Sequence, residues 1–182
     1  GLNIYDGNRI TILQPTGRPE NVLSGNLIKE IQGDAQGSVF IHTQNGIDRY
    51  DLRTEAVTPL ITIQVNAMSY GNSSLWYAKD NRIFQVSHGQ SSFFSEVDSN
   101  AQITAILPAS GNRLYVGTIT SGIFVIDQNK KIERLLPDCS HVASLYEDSE
   151  KNIWICTWEK GVYMINPNNA IVNFRQYQKD PT

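Results

Sequence analysis

The 182-residue sequence is poor in cysteine and histidine and has no long apolar segment, and each shortage excludes a class of protein. Two cysteines, Cys139 and Cys156, are too few for a disulfide framework. We expect two buried or half-buried thiols, with one disulfide between them as the alternative. No apolar run approaches the ~18 residues that a membrane helix needs. The chain opens directly on strand-like sequence, so no signal peptide is predicted.

Charge is also sparse and evenly spread. Charged residues make up 18% of the chain and its net charge is −3. Because no cluster of lysine or arginine stands out, neither nucleic acid nor an anionic membrane is an expected partner. Hydrophobic residues reach 40%, which is enough for a packed core, and the length fits one ordinary domain.

Recognisable catalytic motifs are missing as well. The chain has no Ser-His-Asp order, HExxH, CxxC or phosphate-binding loop. Adjacent carboxylates such as Glu147 and Asp148 face opposite sides of a strand, so they do not form a glycosidase pair. The three histidines lack a metal-binding spacing, and the calcium-like segment after Asp148 lacks the required glycine and distal glutamate. We therefore predict no catalytic residue, no cofactor and no metal.

What the sequence does contain is a repeated sequence motif. An aromatic residue in an apolar strand is followed, after a short turn, by a second apolar strand. The aromatic residues are Phe40, Trp76, Tyr115 and Trp154, separated by 36, 39 and 39 residues. A period of this length, in units of short strands, is typical of β-propeller blades.

Each unit contains four predicted strands. In the unit of Phe40 these are 26–33, 39–43, 47–52 and 60–64. The final strand of the last unit, 170–178, is predicted to be a half-buried outer strand, because Val172 and Phe174 alternate with polar residues. Residues 1–7 match 46–51, so they are expected to be the third strand of a blade whose first two strands lie outside this sequence, with 9–14 as its fourth. The fold prediction is therefore all-β, a β-propeller fragment of about four to five four-stranded antiparallel blades. The predicted divisions are 1–20, the end of an incomplete blade, and the successive blades 21–65, 66–101, 102–139 and 140–182.

The repeated motifs resemble the two-component regulator propeller repeat, and the resemblance extends over nearly the whole chain. The unit near Trp76 is degenerate, and His42 and Cys156 replace the small glycine of the pattern. The pattern positions are occupied by Leu23, Ser24, Asn26, Ile28, Ile31, Asp34, Gly37, Phe40, Ile41, Thr43, Gly46, Ile47, Tyr50 and Asp51, and again by Val142, Leu145, Asp148, Ile153, Trp154, Ile155, Thr157, Gly161 and Val162.

The resemblance implies a function. Proteins of this kind are membrane-spanning sensors, many of them hybrid sensor histidine kinases. Their propellers lie in the periplasm and are followed by a β-sandwich, an inner-membrane helix and cytoplasmic kinase modules. Their ligands are typically oligosaccharides. We therefore expect a ligand-sensing segment that acts as a homodimer, with the kinase modules outside this sequence.

Four residues are candidates for ligand binding: Trp158, Glu159, Lys160 and His42. Trp158 follows the second strand of its unit, and an indole beside charged residues suits the apolar face and hydroxyl rim of a sugar. The alternative is a loop side chain lying over its own blade. His42 occupies an unusual strand position, with a hydrogen-bonded strand histidine as the alternative. Trp76 and Trp154 are predicted to pack between blades, and Asp34 and Asp148 to accept turn N–H groups.

Two other functions compete with the sensor. One is a protein-binding propeller that serves as a scaffold. The other is part of a propeller lyase or hydrolase whose catalytic groups come from other blades. A clustered set of histidine, arginine and glutamate at the ring centre would favour the enzyme.

Overall fold

The computed structural model describes residues 1–16 and 22–175 of the chain. Within these ranges the regular structure is β-strand, apart from a single 3-10 turn at Ser110–Asn112. None of the described helical segments is long and apolar enough to cross a bilayer. The all-β prediction is confirmed.

The strands form one two-stranded hairpin and four four-stranded antiparallel sheets, which we call blades I to IV. The hairpin consists of β1 (Leu2–Tyr5) and β2 (Ile10–Leu13). Blade I contains β3 (Ile28–Gly33), β4 (Ser38–Thr43), β5 (Gly46–Asp51) and β6 (Val57–Ile61). Blade II contains β7 (Ala67–Gly71), β8 (Ser74–Lys79), β9 (Arg82–Ser87) and β10 (Gln90–Glu96). Blade III contains β11 (Ile103–Ala109), β12 (Arg113–Thr118), β13 (Ile123–Ile126) and β14 (Ile132–Leu135). Blade IV contains β15 (Val142–Glu147), β16 (Ile153–Thr157), β17 (Val162–Ile165) and β18 (Ile171–Phe174).

The blades pack face to face around their first strands. The first strands β3, β7, β11 and β15 adjoin one another in that order, as expected for strands that surround a propeller axis. The second strands are the most buried: in β8 only Lys79 is exposed. A strand that is covered on both faces needs a continuous apolar run, which explains the repeated apolar motif in the sequence.

Four apolar clusters lie between successive sheets. Phe40 belongs to the cluster between blades I and II, and Trp76 to the one between blades II and III. Tyr115 belongs to the cluster between blades III and IV, and Leu13 to the one between the hairpin and blade I. Trp76 is 7% exposed, so its predicted place in the core is confirmed. The same prediction for Trp154 was wrong, because Trp154 is half-buried and stacks on Phe174 of its own blade, which no further described sheet covers. Burial of such large side chains supplies the main stabilisation of each blade interface.

The antiparallel order gives the blades two distinct ends. We call upper the end that carries the turns between second and third strands and the connections from each blade to the next. The lower end carries the turns between first and second strands. Asp34 and Asp148 lie at the lower end, where Oδ1 of each carboxylate accepts two backbone N–H groups of its own turn, as predicted.

A bulge recurs near the upper end of the first strand in three blades. The register shifts between Ile28 and Glu30, between Ile103 and Ala105, and between Val142 and Ser144. The bulged residues are Lys29, Thr104 and Ala143. A β-bulge bends the strand and redirects the extra side chain. The side chains of Lys29 and Thr104 therefore point in directions that a regular strand would not give them.

Two strand predictions were wrong in detail. The fourth strand of blade I is Val57–Ile61 rather than 60–64, and Ile63 is 46% exposed beyond its end. Pro59 is tolerated inside this strand because it is an outer edge, where a missing N–H breaks no ladder bond. The last strand, predicted over 170–178 as half-buried, is Ile171–Phe174, and all four of its residues are exposed because no further sheet covers blade IV within the described ranges. Residues 176–178 of that prediction lie outside the described residues.

The degenerate unit near Trp76 nevertheless forms a complete four-stranded blade. The two cysteines are free thiols, Cys139 buried and Cys156 half-buried, as predicted.

Candidate functional site

The turn of blade IV at the upper end displays the most exposed aromatic side chain of the described residues. Trp158 is 80% exposed. Its backbone is nevertheless fixed, because its N–H donates to the His141 carbonyl over 3.1 Å. Thr157 holds the turn by donating from Oγ1 to the Gly161 carbonyl (2.7 Å) and accepting the Lys160 N–H (2.9 Å). The Trp158 side chain is therefore exposed to solvent, while hydrogen bonds hold the backbone of its turn in place.

Gly161 is required at the end of this turn. Its φ of +77° lies in the left-handed region, and an added Cβ would lie 2.3 Å from the Phe174 carbonyl oxygen. The same threonine-based turn recurs in blade III, where Thr118 Oγ1 donates to the Gly122 carbonyl over 2.8 Å. The turn geometry is thus shared by blades III and IV, whereas the exposed tryptophan occurs at this position in blade IV and not in blade III.

Glu159 and Lys160 flank the indole with charge. The Glu159 carboxylate lies 4.0 Å from Nδ1 of His141, and both side chains are exposed. The Lys160 ammonium donates to the Asp138 carbonyl over 2.6 Å and so fastens the turn to the connection between blades III and IV. The three predicted residues of this turn therefore form one surface, with an aromatic face and a polar rim.

His42 does not join that surface. It lies in blade I, is 2% exposed, and its Nε2 is 3.2 Å from the Val65 carbonyl oxygen. Burial lowers the pKa of His42, and the nearby positive charge of Lys29 lowers it further. A neutral, buried imidazole joined to the connection between blades I and II matches the alternative of a hydrogen-bonded strand histidine.

A polar depression opens at the upper end, near the axis, and we call it the entrance basin. It has a volume of about 420 Å³, and its polar lining comes from the bulges, connections and turns of three blades: Lys29, Gln64, Asn66, Lys79, Asp80, Gln102 and Thr104. Ligand pockets span about 300–1,000 Å³. Sequence reasoning missed the basin because its side chains lie up to 75 residues apart, between Lys29 and Thr104, and share no motif.

The entrance basin continues into a second cavity along the first strands, the axial groove, of about 530 Å³. The two share Lys29, Asn66 and Thr104. Burial raises the pKa of Glu30 in the groove wall, and the Gln32 side-chain amide donates to this carboxyl group over 2.5 Å. The groove lining includes His42 and Glu30 but no arginine among the described residues.

Metal binding finds no support in the arrangement of side chains. The described ranges contain no group of three or more His, Cys, Asp or Glu residues that could hold an ion. In the calcium-like segment, the Asp148 carboxylate forms hydrogen bonds within the protein. Its Oδ2 accepts the Trp154 indole N–H over 2.7 Å and an Asn152 amide N–H over 3.0 Å.

Comparison with known proteins agrees with the propeller-repeat resemblance. Residues 136–159 match the two component regulator propeller family. This segment covers the connection into blade IV, its first two strands and the turn as far as Glu159. The predicted resemblance is confirmed there. A search of curated proteins by sequence found no significant match.

Solved structures share the fold. The extracellular domain of a protein described as a hybrid two component system from B. thetaiotaomicron aligns with a TM-score of 0.78 and 23% identity, over 94% of this chain and 27% of its own. A second such domain from the same organism gives 0.73 and 20%, over 96% and 28%. Virginiamycin B lyase from Staphylococcus aureus gives 0.68 and 16%, over 82% and 55%. This chain therefore spans about a quarter of the length of those two extracellular domains, and the likeness shows the fold alone.

Proposed function

We propose that this chain is part of the extracytoplasmic, ligand-sensing region of a membrane-bound hybrid two-component sensor, and that its ligand is an oligosaccharide. The observation that carries the proposal is the blade IV turn, in which Trp158 is 80% exposed on a rigid base within a segment that matches the regulator propeller family. Burying an aromatic surface of that size against a ligand is favourable, whereas exposing it to water is not. The extracellular domains among the structural relatives support the proposed location.

The chemistry of the turn suits a sugar. A pyranose ring offers an apolar C–H face to the indole and hydroxyl groups to a surrounding polar rim. Glu159 supplies acceptors to that rim, and His141 supplies a ring nitrogen. The Lys160 ammonium donates one hydrogen bond to the Asp138 carbonyl, which positions the turn, and its other hydrogens can donate to the sugar rim.

Signalling would follow from differential binding. A ligand shifts an equilibrium only if it binds one state more tightly than the other. In this proposal the glycan favours one arrangement of the propeller relative to its dimer partner and to a downstream β-sandwich, and that bias reaches the histidine kinase modules.

Isothermal titration of the purified chain with plant, host and microbial oligosaccharides tests the proposal. We expect one glycan class to bind, and Trp158→Ala to weaken that binding by about tenfold or more, as truncation of an aromatic anchor does. Trp158→Phe keeps a ring and should retain part of the affinity. Tyr5→Ala is the matched control, because Tyr5 is 70% exposed at the lower end. Equal binding by the Trp158→Ala and Tyr5→Ala variants would contradict the stacking role.

A further inference from the structure

The entrance basin differs in charge from the rest of the molecule. Its charged side chains are Lys29, Lys79 and Asp80, so the basin carries a formal charge of +1 in a chain whose net charge is −3. Glu30, whose side chain lies in the adjoining axial groove, is bound by Gln32 and has a raised pKa because of burial. Among the described residues it forms no ion pair with either lysine, and its carboxyl group accepts its hydrogen bond from Gln32.

Neither lysine forms an ion pair with another of the described residues. In the described part of the chain, no carboxylate oxygen lies within 4.0 Å of the ammonium of Lys29 or Lys79, whereas Arg9, Arg49 and Arg82 all have acidic neighbours within that distance. The charge of Lys29 instead acts on His42 and contributes to lowering its pKa. An ammonium group without a carboxylate partner attracts anions.

The remaining uncharged polar side chains of the basin include three amides that can donate hydrogen bonds. Asn66 Oδ1 accepts the Asp80 N–H over 2.7 Å, which leaves the Asn66 amide hydrogens free to donate. The side-chain amides of Gln64 and Gln102 also line the basin and form no hydrogen bond within residues 1–16 and 22–175. Two ammonium groups and three amides thus line one depression, together with the Asp80 carboxylate.

Local structure directs these donors into the basin. Lys29 is the extra residue of the bulge in β3, and bulges near functional sites redirect side chains in this way. Thr104, the extra residue of the bulge in β11, is anchored because its hydroxyl lies 2.7 Å from the Val142 carbonyl and 3.3 Å from that of Gly117. Lys79 ends β8 immediately before the turn at Asp80.

We propose that the entrance basin binds an anionic group of an acidic oligosaccharide, a carboxylate or a sulfate ester, through Lys29 and Lys79. This inference rests on the proposed function, because it takes the ligand to be an oligosaccharide and names its class. The anionic group accepts hydrogen bonds from the two ammonium groups and from the amides of Asn66, Gln64 and Gln102. Charge-assisted hydrogen bonds of this kind are stronger than those between neutral groups.

The test is a titration of the full chain with four probes. These are a galacturonic acid trisaccharide, its neutral methyl ester, a sulfated galactan oligosaccharide and its desulfated counterpart. We expect a charged probe to bind and its neutral counterpart to bind much more weakly, and the preferred charged probe distinguishes carboxylate from sulfate. Lys29→Ala and Lys79→Ala should each weaken binding by roughly tenfold. The loss should grow at low salt, where exposed charges are less screened.

Lys131→Ala is the matched control, because Lys131 is an exposed lysine at the lower end. Far-UV circular dichroism confirms folding of all variants. If the neutral probes bind as well as the charged ones and both basin variants are unaffected, while Trp158→Ala weakens binding, the acidic-glycan inference is wrong and the proposed function stands. If basin variants weaken binding of a charged probe and Trp158→Ala does not, the inference stands without the stacking role. Binding of no oligosaccharide, acidic or neutral, would overturn both.

Discussion

The ring of Phe40 in blade I stacks on the ring of Tyr70 in blade II, with centroids 5.3 Å apart and planes 21° from parallel. Phe40 is the first of the four repeated aromatic residues, and it is 7% exposed. In blades I to III the repeated aromatic residue of the second strand belongs to the apolar cluster shared with the next blade, whereas Trp154 stacks on Phe174 of its own blade IV. The periodic sequence signal therefore reflects blade-to-blade packing in blades I to III.

Phe40→Ala should destabilise the chain by about 3–5 kcal/mol, because it removes a buried ring and leaves a cavity between two blades. Chemical denaturation with urea measures the change. Phe93→Ala is the control, since Phe93 is 55% exposed on an outer strand, and its effect should be much smaller. Similar losses for the two variants would mean that the interface between blades I and II contributes little.

Gly117→Ala should destabilise by about 1–3 kcal/mol through overpacking. A Cβ at this position would lie 2.4 Å from Cγ1 of Val142 in the next blade, so one of the two sheets must shift. Adding Val142→Ala to Gly117→Ala should give a smaller total loss than the sum of the two single losses, because the methyl groups that clash are then absent. A double-mutant cycle by denaturation measures the coupling, and strict additivity would contradict the predicted contact.

Asp148→Asn should lower stability at neutral pH, and the difference from the wild type should fade under acid. Hydrogen bonds from Trp154 and Asn152 hold the pKa of Asp148 below its ordinary value of 3.8. A lowered folded-state pKa gives stability that is present above the unfolded-state pKa and is lost as the pH falls through the folded-state pKa. Thermal unfolding between pH 7 and about pH 2 measures it. Asp98→Asn, at an exposed position, is the control; a loss independent of pH would contradict the ionic origin.

Asp48 is expected to show the opposite pH dependence. Its carboxyl group is fully buried: Oδ2 accepts two hydrogen bonds from Ser24, whereas Oδ1 has no partner among the described residues. Burial raises the pKa of Asp48, so its contribution to stability is present below the unfolded-state pKa and is lost as the pH rises through the raised value. Relative to Asp48→Asn, the wild type should therefore become less stable as the pH rises above about 4. A constant difference between pH 4 and pH 8 would contradict the raised pKa.

Much of the fold could be predicted because the repeat encodes a buried strand directly. The apolar runs of β4, β8, β12 and β16 are covered on at least one face, so their positions follow from hydrophobicity alone. The outer strands could not be placed as well. They lie at the edge, where hydrophobicity is weak and turn chemistry decides the ends, so β6 begins three residues earlier than predicted.

The candidate site was only partly predictable. Trp158 could be found because it departs from a repeat whose other copies have Gln44 and Ile119 at that position. The entrance basin could not be found, because Lys29 is ordinary in sequence and gains its position from a bulge and from neighbours on other blades. His42 was singled out for replacing a glycine, and the structure shows a buried hydrogen bond to Val65 instead of an exposed group.

The most direct test of the oligosaccharide-sensing account is thermal unfolding of the purified chain in the presence of plant, host and microbial oligosaccharides, neutral and acidic. A ligand at about 100 times its Kd should stabilise the folded chain by about 2.7 kcal/mol and raise the unfolding midpoint visibly. The account predicts such a shift with one glycan class and its loss in Trp158→Ala. An unchanged midpoint with every glycan at saturating concentration would contradict sensing within this chain.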